Sequence, residues 1–261
     1  MVDFYIGTMG FSYRDWSGPF YPEGLSAREY LPYYARIFNA VEIDSTFYGT
    51  PRRDTVIRWR DTTPEGFKIC VKVPRVITHE SELVDCAGEM NTFIAIVSEL
   101  EDKLGVIIFQ FPPSFDSTHF ERVNSFLREI PGGIDFAVEF RHRSWYTYQT
   151  AKMLRELNIC WVATEFERVP KEVDLTSELI FIRFIGKHGQ FKLHDREQID
   201  MTPQLEWWWQ WIQSKIDSVA TVYGFFNDDF SGHAPAAANN LKQIIGLPVV
   251  KSDLPKQMKL F

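Results

Sequence analysis

The 261-residue sequence has few cysteines and no long hydrophobic run. Cys70, Cys86 and Cys160 are widely spaced and form no C-x-x-C pair, which argues against a zinc ribbon or a dithiol redox centre. Apolar stretches such as 104–111 are far shorter than the roughly 18 residues that a membrane-spanning helix needs. Residues 1–4 lack the basic and apolar regions of a secretory signal. We therefore expect a cytoplasmic protein with reduced cysteines and no membrane partner.

Positive charge is also scarce, since the formal net charge is −7 at pH 7. This balance argues against non-specific duplex binding driven by attraction to phosphates, although a cleft can still concentrate positive charge locally. The Gly-x-Ser-x-Gly motif is absent, and Ser12, Ser45 and Ser144 have no identifiable base beside them. Serine-based nucleophilic catalysis is therefore not expected.

Strand-like and helix-like segments alternate along the chain. Eight strands are predicted over 4–8, 40–44, 67–73, 106–111, 136–141, 159–164, 180–185 and 221–227. Helices are predicted between most of them, over 26–38, 53–62, 86–100, 118–130, 146–157, 203–218 and 235–245. Residues 166–177 look irregular, so the sixth helix is expected to be short or missing.

This alternation predicts a parallel sheet, and eight units predict closure into one (β/α)₈ TIM-type barrel over residues 1–261. The alternative is an open, doubly wound sheet. That fold favours a glycine-rich turn after the first strand, and Gly7-Thr-Met-Gly10 fits G-x-G-x-x-G poorly.

Polar side chains recur on the inward face of the predicted strands, near their C-terminal ends. Strand alternation places these residues inside the barrel: Glu42, Asp44, Lys72, Gln110, Glu139, Arg141, Arg183 and Asn227. A barrel interior is normally filled by branched apolar side chains, and a buried charge costs several kcal/mol unless it is paired. The set therefore predicts a functional site at the C-terminal mouth. An internal salt-bridge network is the alternative, and it is compatible with a functional site.

Aromatic residues occur in the loops that follow these strands. Trp16, Tyr48 and Trp145 are predicted to lie at the rim of the mouth, where aromatic rings stack on sugars or bases. Packing of some of these rings as loop anchors is the alternative.

Glycine-containing loops follow the seventh and eighth strands, and they include Gly186, Lys187 and His233. Barrels often bind phosphate between these two loops, at a helix N-terminus with free N–H donors. The loops therefore predict an anion subsite, with ordinary glycine turns as the alternative.

Six segments, taken together and in this order, resemble the YecE-like family of bacterial and archaeal proteins, a domain of unknown function (number 72). They are 7–22 (GTMGFSYRDWSGPFYP), 38–48 (FNAVEIDSTFY), 71–79 (VKVPRVITH), 109–115 (FQFPPSF), 138–145 (VEFRHRSW) and 226–235 (FNDDFSGHAP). The resemblance implies a TIM-like barrel but no particular reaction. It also implies a shorter, Asp-containing segment where this sequence has 164–170.

The first functional hypothesis is a site for a small anionic or phosphorylated metabolite, such as a sugar or nucleotide. Lys72, Arg141 and Arg183 would hold the anion, and Glu139 would transfer protons with Glu42 as its partner. The hypothesis needs no metal and no cofactor. Whether the protein is an enzyme stays open.

Two alternatives belong to other classes. A metal-dependent endonuclease would need several His and carboxylate ligands, but the chain has six histidines and no H-x-x-x-H pair, so nucleic acid is not the favoured partner. The second alternative is a non-catalytic interaction protein, which would use the predicted helix over 203–218 for an oligomer contact. That helix contains Trp207, Trp208, Trp209 and Trp211, and these four side chains cannot all lie on one face of it.

Overall fold

Nine parallel strands form a nearly closed barrel in the computed structural model, which describes residues 2–250. The strands are β1 (Asp3–Thr8), β2 (Ala40–Ile43), β3 (Lys68–Lys72), β4 (Leu104–Gln110), β5 (Asp135–Glu139), β6 (Cys160–Trp161), β7 (Ala163–Glu165), β8 (Leu179–Phe184) and β9 (Thr221–Phe226). The predicted sixth strand is divided between β6, which pairs with β5, and β7, which pairs with β8. The predicted TIM-type barrel is confirmed. The ends of the predicted domain, residues 1 and 251–261, lie outside the described residues.

Seven α-helices follow the strands within the described part of the chain. They are α1 (Tyr30–Tyr34), α2 (Arg53–Asp61), α3 (Ala87–Val97), α4 (Phe120–Glu129), α5 (Tyr148–Glu156), α6 (Thr202–Gln213) and α7 (Ala234–Ile244). Residues 166–178, all of which are described, contain no helix, so the sixth helix is missing as predicted. No helix within residues 2–250 has the length and apolarity needed to cross a bilayer.

Helix α1 is much shorter than the predicted helix over 26–38. A capping interaction forms where that helix was predicted to begin, with the backbone N and Oγ of Ser26 donating to Glu29 at 3.1 and 2.7 Å. Regular helix begins only at Tyr30, because Pro32 has no N–H to donate to the preceding turn. After Tyr34 the chain tightens into three-residue turns, so this stretch is mainly a connector.

The barrel closes between β1 and β2 through side chains as well as backbone. The Tyr34 hydroxyl accepts from the backbone N of Thr8 at 2.8 Å and donates to the carbonyl of Ala40 at 3.1 Å. Gly7 allows this close approach, because a Cβ there would lie 2.0 Å from the Ala40 oxygen. The Asn39 side chain forms two further hydrogen bonds with the backbone of β1. Side-chain groups therefore replace some of the backbone hydrogen bonds that are missing between β1 and β2.

Two apolar layers follow from strand alternation. The barrel interior is filled by Met9, Ala40, Cys70, Val106, Ile108, Ala137, Cys160, Val162, Phe181, Tyr223 and Phe225. The outward side chains, such as Val41, Ile69 and Val138, pack against the helices. The predicted strand faces are therefore confirmed, and the inner layer leaves its C-terminal end to polar residues.

The tryptophan-rich helix α6 packs largely on its own protein. Trp208 is fully buried and donates from its indole to Glu165 at 2.7 Å, and Trp211 is nearly buried. Trp207 and Trp209 are half-buried against the main core. An oligomer contact through this helix stays a prediction.

Candidate functional site

A pocket of about 780 Å³ opens at the C-terminal ends of the strands. We call it the mouth pocket. It is lined by Met9, Tyr13, Asp44, Phe47, Tyr48, Lys72, Gln110, Pro113, Arg141, Phe166, Glu167, Arg168, Arg183, Ile185, Gly186, Lys187, His188, Asn227 and Asp229. Nine predicted site residues meet there: Asp44, Tyr48, Lys72, Gln110, Arg141, Arg183, Gly186, Lys187 and Asn227.

Arg183, from β8, is the central cation beneath the pocket. Its Nε donates to Glu42 Oε2 at 3.0 Å and its Nη2 donates to Glu42 Oε1 at 2.6 Å, which gives a bidentate pair across the barrel. Its Nη1 donates to Glu139 Oε2. Arg183 thereby links β2, β5 and β8, and both carboxylates are completely buried.

Glu139 is held by a second cation, because Arg141 Nε donates to its Oε1 at 2.8 Å. Burial alone would raise the pKa of Glu139, but Arg141 and Arg183 overcome it and lower the pKa to about 2. For Glu42, burial is the dominant effect and raises the pKa to about 7, although Arg183 opposes it. The pKa values of the two carboxyl groups are therefore shifted in opposite directions.

The structure places Glu42 and Glu139 beneath the wall of the mouth pocket, and their predicted proton-transferring role stays a prediction. Neither residue lies on the wall of the mouth pocket, and neither is exposed. Both oxygens of each carboxylate accept hydrogen bonds from arginine. These side chains position Arg183 and Arg141, so the internal salt-bridge network and the pocket are both present.

Lys72 ends β3 and reaches the pocket floor. Its Nζ donates to Gln110 Oε1 at 3.2 Å and lies 3.7 Å from Asp44 Oδ1. Asp44 Oδ1 is also 3.7 Å from Arg183 Nη2, and its side chain is about one-third exposed. Asp44 is thus a carboxylate on the pocket wall between two cations.

Arg141 presents donors that the protein does not use. Its Nε is bonded to Glu139, and its guanidinium lies 5.2 Å from the centroid of the Phe166 ring. Among residues 2–250, its Nη1 and Nη2 have no hydrogen-bond or ion-pair partner. Two parallel N–H donors on a pocket wall match a carboxylate or phosphate.

Trp16 and Trp145 are not rim residues, which corrects the prediction. Both are fully buried and absent from the pocket lining. The Trp16 indole donates to Asp228 at 3.0 Å, and the Trp145 indole donates to the carbonyl of Phe115 at 2.8 Å. These rings anchor loops, whereas Tyr48 is 78% exposed at the rim.

The predicted phosphate subsite near α7 is already occupied by protein groups. Asp228 Oδ1 accepts from the backbone N of Ala234 at 2.8 Å, so a carboxylate caps the helix where an anion was expected. His233 is buried and off the pocket wall. Gly186 lies on the wall, but its N–H is bonded to the carbonyl of Glu165. The N-terminus of α7 is therefore capped by the protein itself, whereas Gly186 and Lys187 lie on the pocket wall, and an anion subsite there stays a prediction.

The loop after β7 contributes residues that the sequence prediction missed. Phe166, Glu167 and Arg168 lie on the pocket wall, although this segment departs from the expected family pattern. Tyr13 also lies there, with its hydroxyl donating to the carbonyl of Met9 at 2.5 Å. The absence of a predicted helix after the sixth strand was the available signal, because it leaves the loop free to reach the mouth.

A side compartment of about 350 Å³ occupies the region beside this loop. It shares Phe166, Glu167, Gly186 and Lys187 with the mouth pocket. Its other lining residues are Glu165, Val169, Lys171, Gln190, Ile199, Met201 and Phe230. The side compartment therefore adjoins the mouth pocket in the region where the sixth helix is missing.

Comparison with known proteins places this barrel in a family. The profile described as "Protein of unknown function DUF72" matches residues 5–259. The chain belongs to the DUF72 family. The confirmed family membership agrees with the resemblance found in the six sequence segments.

Two bacterial relatives share 27% identity with this DUF72 protein. The UPF0759 protein YecE of Escherichia coli (strain K12) aligns over 88% of this chain and 92% of its own length. The UPF0759 protein YunF of Bacillus subtilis (strain 168) aligns over 98% and 99%.

Solved structures of DUF72 proteins have the same fold. A Thermotoga maritima family member gives a TM-score of 0.76 at 27% identity, over 94% of this chain and 98% of that one. An Enterococcus faecalis member gives 0.75 at 20% identity, over 95% and 99%.

Proposed function

We propose that the mouth pocket binds a small anionic metabolite that carries a phosphate group, such as a sugar phosphate or a nucleotide. The observation that carries the proposal is the unpaired guanidinium edge of Arg141 on the pocket wall. An arginine fork suits the planar arrangement of two acceptor oxygens on a carboxylate or phosphate.

Other wall residues support an anionic ligand with a polar or ring-shaped remainder. Lys72, Arg168 and Lys187 supply further positive charge around the opening. The exposed ring of Tyr48 offers a stacking surface for a sugar or base. Asn227 uses its Oδ1 to accept from the backbone N of Asp229, which leaves its amide N–H₂ group for the pocket.

For proton exchange with the ligand we propose Asp44 in place of Glu42 and Glu139. Asp44 is on the wall and its oxygens accept no hydrogen bond from the described residues, whereas the two glutamates are enclosed by arginines. A group that exchanges protons must come within hydrogen-bond reach of the reacting atom.

The two alternative functions have less support. Over residues 2–250, no group of three or more His, Cys, Asp or Glu side chains is arranged to hold a metal ion, as a multi-metal nuclease would require. An interaction function would use the half-buried faces of Trp207 and Trp209, which the main core already contacts.

Calorimetric titration tests the proposal, with orthophosphate first and then a panel of sugar phosphates and nucleotides. We expect Arg141→Gln to weaken binding of the best ligand about 10- to 100-fold, because it removes charge-assisted hydrogen bonds worth roughly 1.5–3 kcal/mol. Arg128→Gln is the matched control, since Arg128 forms an exposed pair with Glu156 on the outer helices. Equal affinity in the Arg141 variant and the wild type would refute the proposal.

A further inference from the structure

Lys72 is an amine at the closed end of the mouth pocket. Its side chain is only 9% exposed, yet it lines the pocket. Its one hydrogen bond within the described residues goes to Gln110 Oε1, at 3.2 Å. The ring of Phe47 covers one side, with its centroid 4.4 Å from Nζ. The amine therefore faces both an apolar ring and the space that a ligand would occupy.

We propose that Lys72 forms a covalent imine with the ligand, and that the ligand is an anionic aldehyde or ketone. The inference rests on the proposed function, because Arg141 would hold the anionic end while Nζ reaches the carbonyl carbon. Lys72 then acts as a nucleophile, a role different from the electrostatic one predicted from the sequence.

The surroundings of Lys72 favour a reactive amine. Burial lowers the pKa of its ammonium group, and the Arg183 cation lowers it further, while Asp44, Glu42 and Glu139 oppose the shift. Desolvation and a neighbouring cation are the two devices by which proteins activate lysine for imine formation. A flexible stem lets Nζ approach a carbonyl carbon from the floor of the pocket.

The reaction balances with groups already at the site. Asp44 Oδ1 lies 3.7 Å from Nζ, and it takes a proton from the ammonium group when the flexible Lys72 stem brings Nζ within hydrogen-bond reach. The freed lone pair bonds to the carbonyl carbon, the carbonyl π electrons move to oxygen, and a proton passes from nitrogen to that oxygen. Asp44 then returns its proton to the hydroxyl group, which leaves as water while the C=N bond forms. The products are a protonated imine and one water molecule.

Lys242 shows that burial of an amine is not sufficient for this role. It is 7% exposed, and burial lowers its pKa as well. Its Nζ donates to the carbonyl of Ile37 at 3.2 Å, and it lies on neither the mouth pocket nor the side compartment. Lys242 therefore serves as a control within the same protein, because its amine is buried but lies on neither pocket.

Reductive trapping tests the inference. The protein is incubated with D-glyceraldehyde 3-phosphate and cyanoborohydride, and adducts are located by peptide mass spectrometry. We expect Lys72 to be modified at least about tenfold faster than the exposed Lys152, because the site combines an activated amine with an anion anchor. Orthophosphate should slow the reaction at Lys72 but not at Lys152. Lys242 should stay unmodified.

Two variants test the chemistry of Lys72. Lys72→Arg keeps the positive charge but has no amine that can form an imine, so it should abolish the adduct. Lys72→Met removes both the amine and its charge, and it should also give no adduct. Its circular dichroism is compared with that of the wild type, because a misfolded variant would lose the adduct for another reason. Lys72→Arg is therefore the deciding variant.

The results distinguish the two proposals. If orthophosphate binds with the Arg141 dependence given above but Lys72 reacts no faster than Lys152, the imine is overturned and the proposed function survives. If orthophosphate and the phosphate panel do not bind and Lys72 is not selectively modified, both are overturned. Selective modification that orthophosphate suppresses supports both.

Discussion

Arg183 bears on both the stability of the barrel and the shape of the mouth pocket, because it neutralises two buried carboxylates from two other strands. Its partners Glu42 and Glu139 have no exposed surface. Within residues 2–250 Arg183 is the one arginine that donates hydrogen bonds to Glu42, while Glu139 also accepts from Arg141. Removal of one member of a buried ionic set leaves uncompensated charge in a medium of low polarity.

We expect Arg183→Met to lower the free energy of unfolding by about 3–5 kcal/mol, the range for breaking a buried pair. Urea denaturation followed by circular dichroism measures this change. Arg128→Met removes an ion pair in which both side chains are about half-exposed, and it should cost at most about 1 kcal/mol. Similar losses in the two variants would contradict the central role of Arg183.

The same variant should change the acid stability of the protein. In the wild type, Glu139 has a pKa of about 2, below the roughly 4.3 of an unfolded chain. Its contribution is therefore present above about pH 4.3 and is lost as the pH falls through about 2. In Arg183→Met the folded-state pKa of Glu139 should rise toward that of the unfolded chain, so its share of the acid-induced loss should be smaller and should be complete at a higher pH. An unchanged acid profile would argue against this coupling.

The sequence predicted the membership of this cluster better than the roles of its members. Strand alternation placed Glu42, Lys72, Glu139 and Arg183 inside the barrel, because the period of two is imposed by the backbone. It could not show that arginines enclose the glutamates. That result depends on cross-barrel distances between residues up to 141 positions apart.

Loop aromatics show a similar limit. Trp16 pairs with Asp228, which is 212 positions away, so no local pattern reveals that the indole points into the protein. A tryptophan in a loop near the mouth is equally compatible with an anchor and with a stacking surface. Only the packing of the loop after β1 against the loop after β9 decides between them.

Among the elements, the seam between β1 and β2 depends on Tyr34 as well as on backbone pairing. The Tyr34 hydroxyl is completely buried and contacts both strands. A buried backbone N–H that loses its acceptor costs free energy.

We expect Tyr34→Phe to destabilise the protein by about 1–3 kcal/mol, because it leaves two buried backbone groups without that partner. Thermal or urea unfolding measures the effect. Tyr148→Phe is the matched control, since Tyr148 is largely exposed and should change stability by less than about 0.5 kcal/mol. Equal effects would show that the hydroxyl does not secure the seam.

The ends of a helix could be predicted where the apolar residues repeat at helical spacing over its whole length. They could not be predicted where a single residue, such as a proline, decides where the helix begins. Helices α2 and α7 begin and end within one residue of the prediction, because each has a sustained apolar stripe. Helix α1 differs because Pro32 removes a backbone donor early in the segment. The missing sixth helix was predicted, but the pocket residues in its place were not.

At the scale of the whole molecule, an acidic protein carries a pocket in which cationic side chains outnumber carboxylates. Lys72, Arg141, Arg168, Arg183 and Lys187 line one opening together with Asp44, Glu167 and Asp229, although the chain as a whole has a net charge of −7. Such a separation of charge favours small anions at one place over extended polyanions across the surface. Because net charge is a property of the whole chain, it argues against duplex binding but does not reveal a local cationic pocket or its ligand.

The most direct test of this account is to locate an anion in crystals of the protein soaked with arsenate, a tetrahedral analogue of phosphate that scatters anomalously. The account predicts an anomalous peak in the mouth pocket within hydrogen-bond distance of Arg141 Nη1 or Nη2, and loss of that peak in Arg141→Gln. Peaks found only outside the mouth pocket, or a mouth peak that persists unchanged in the variant, would contradict it.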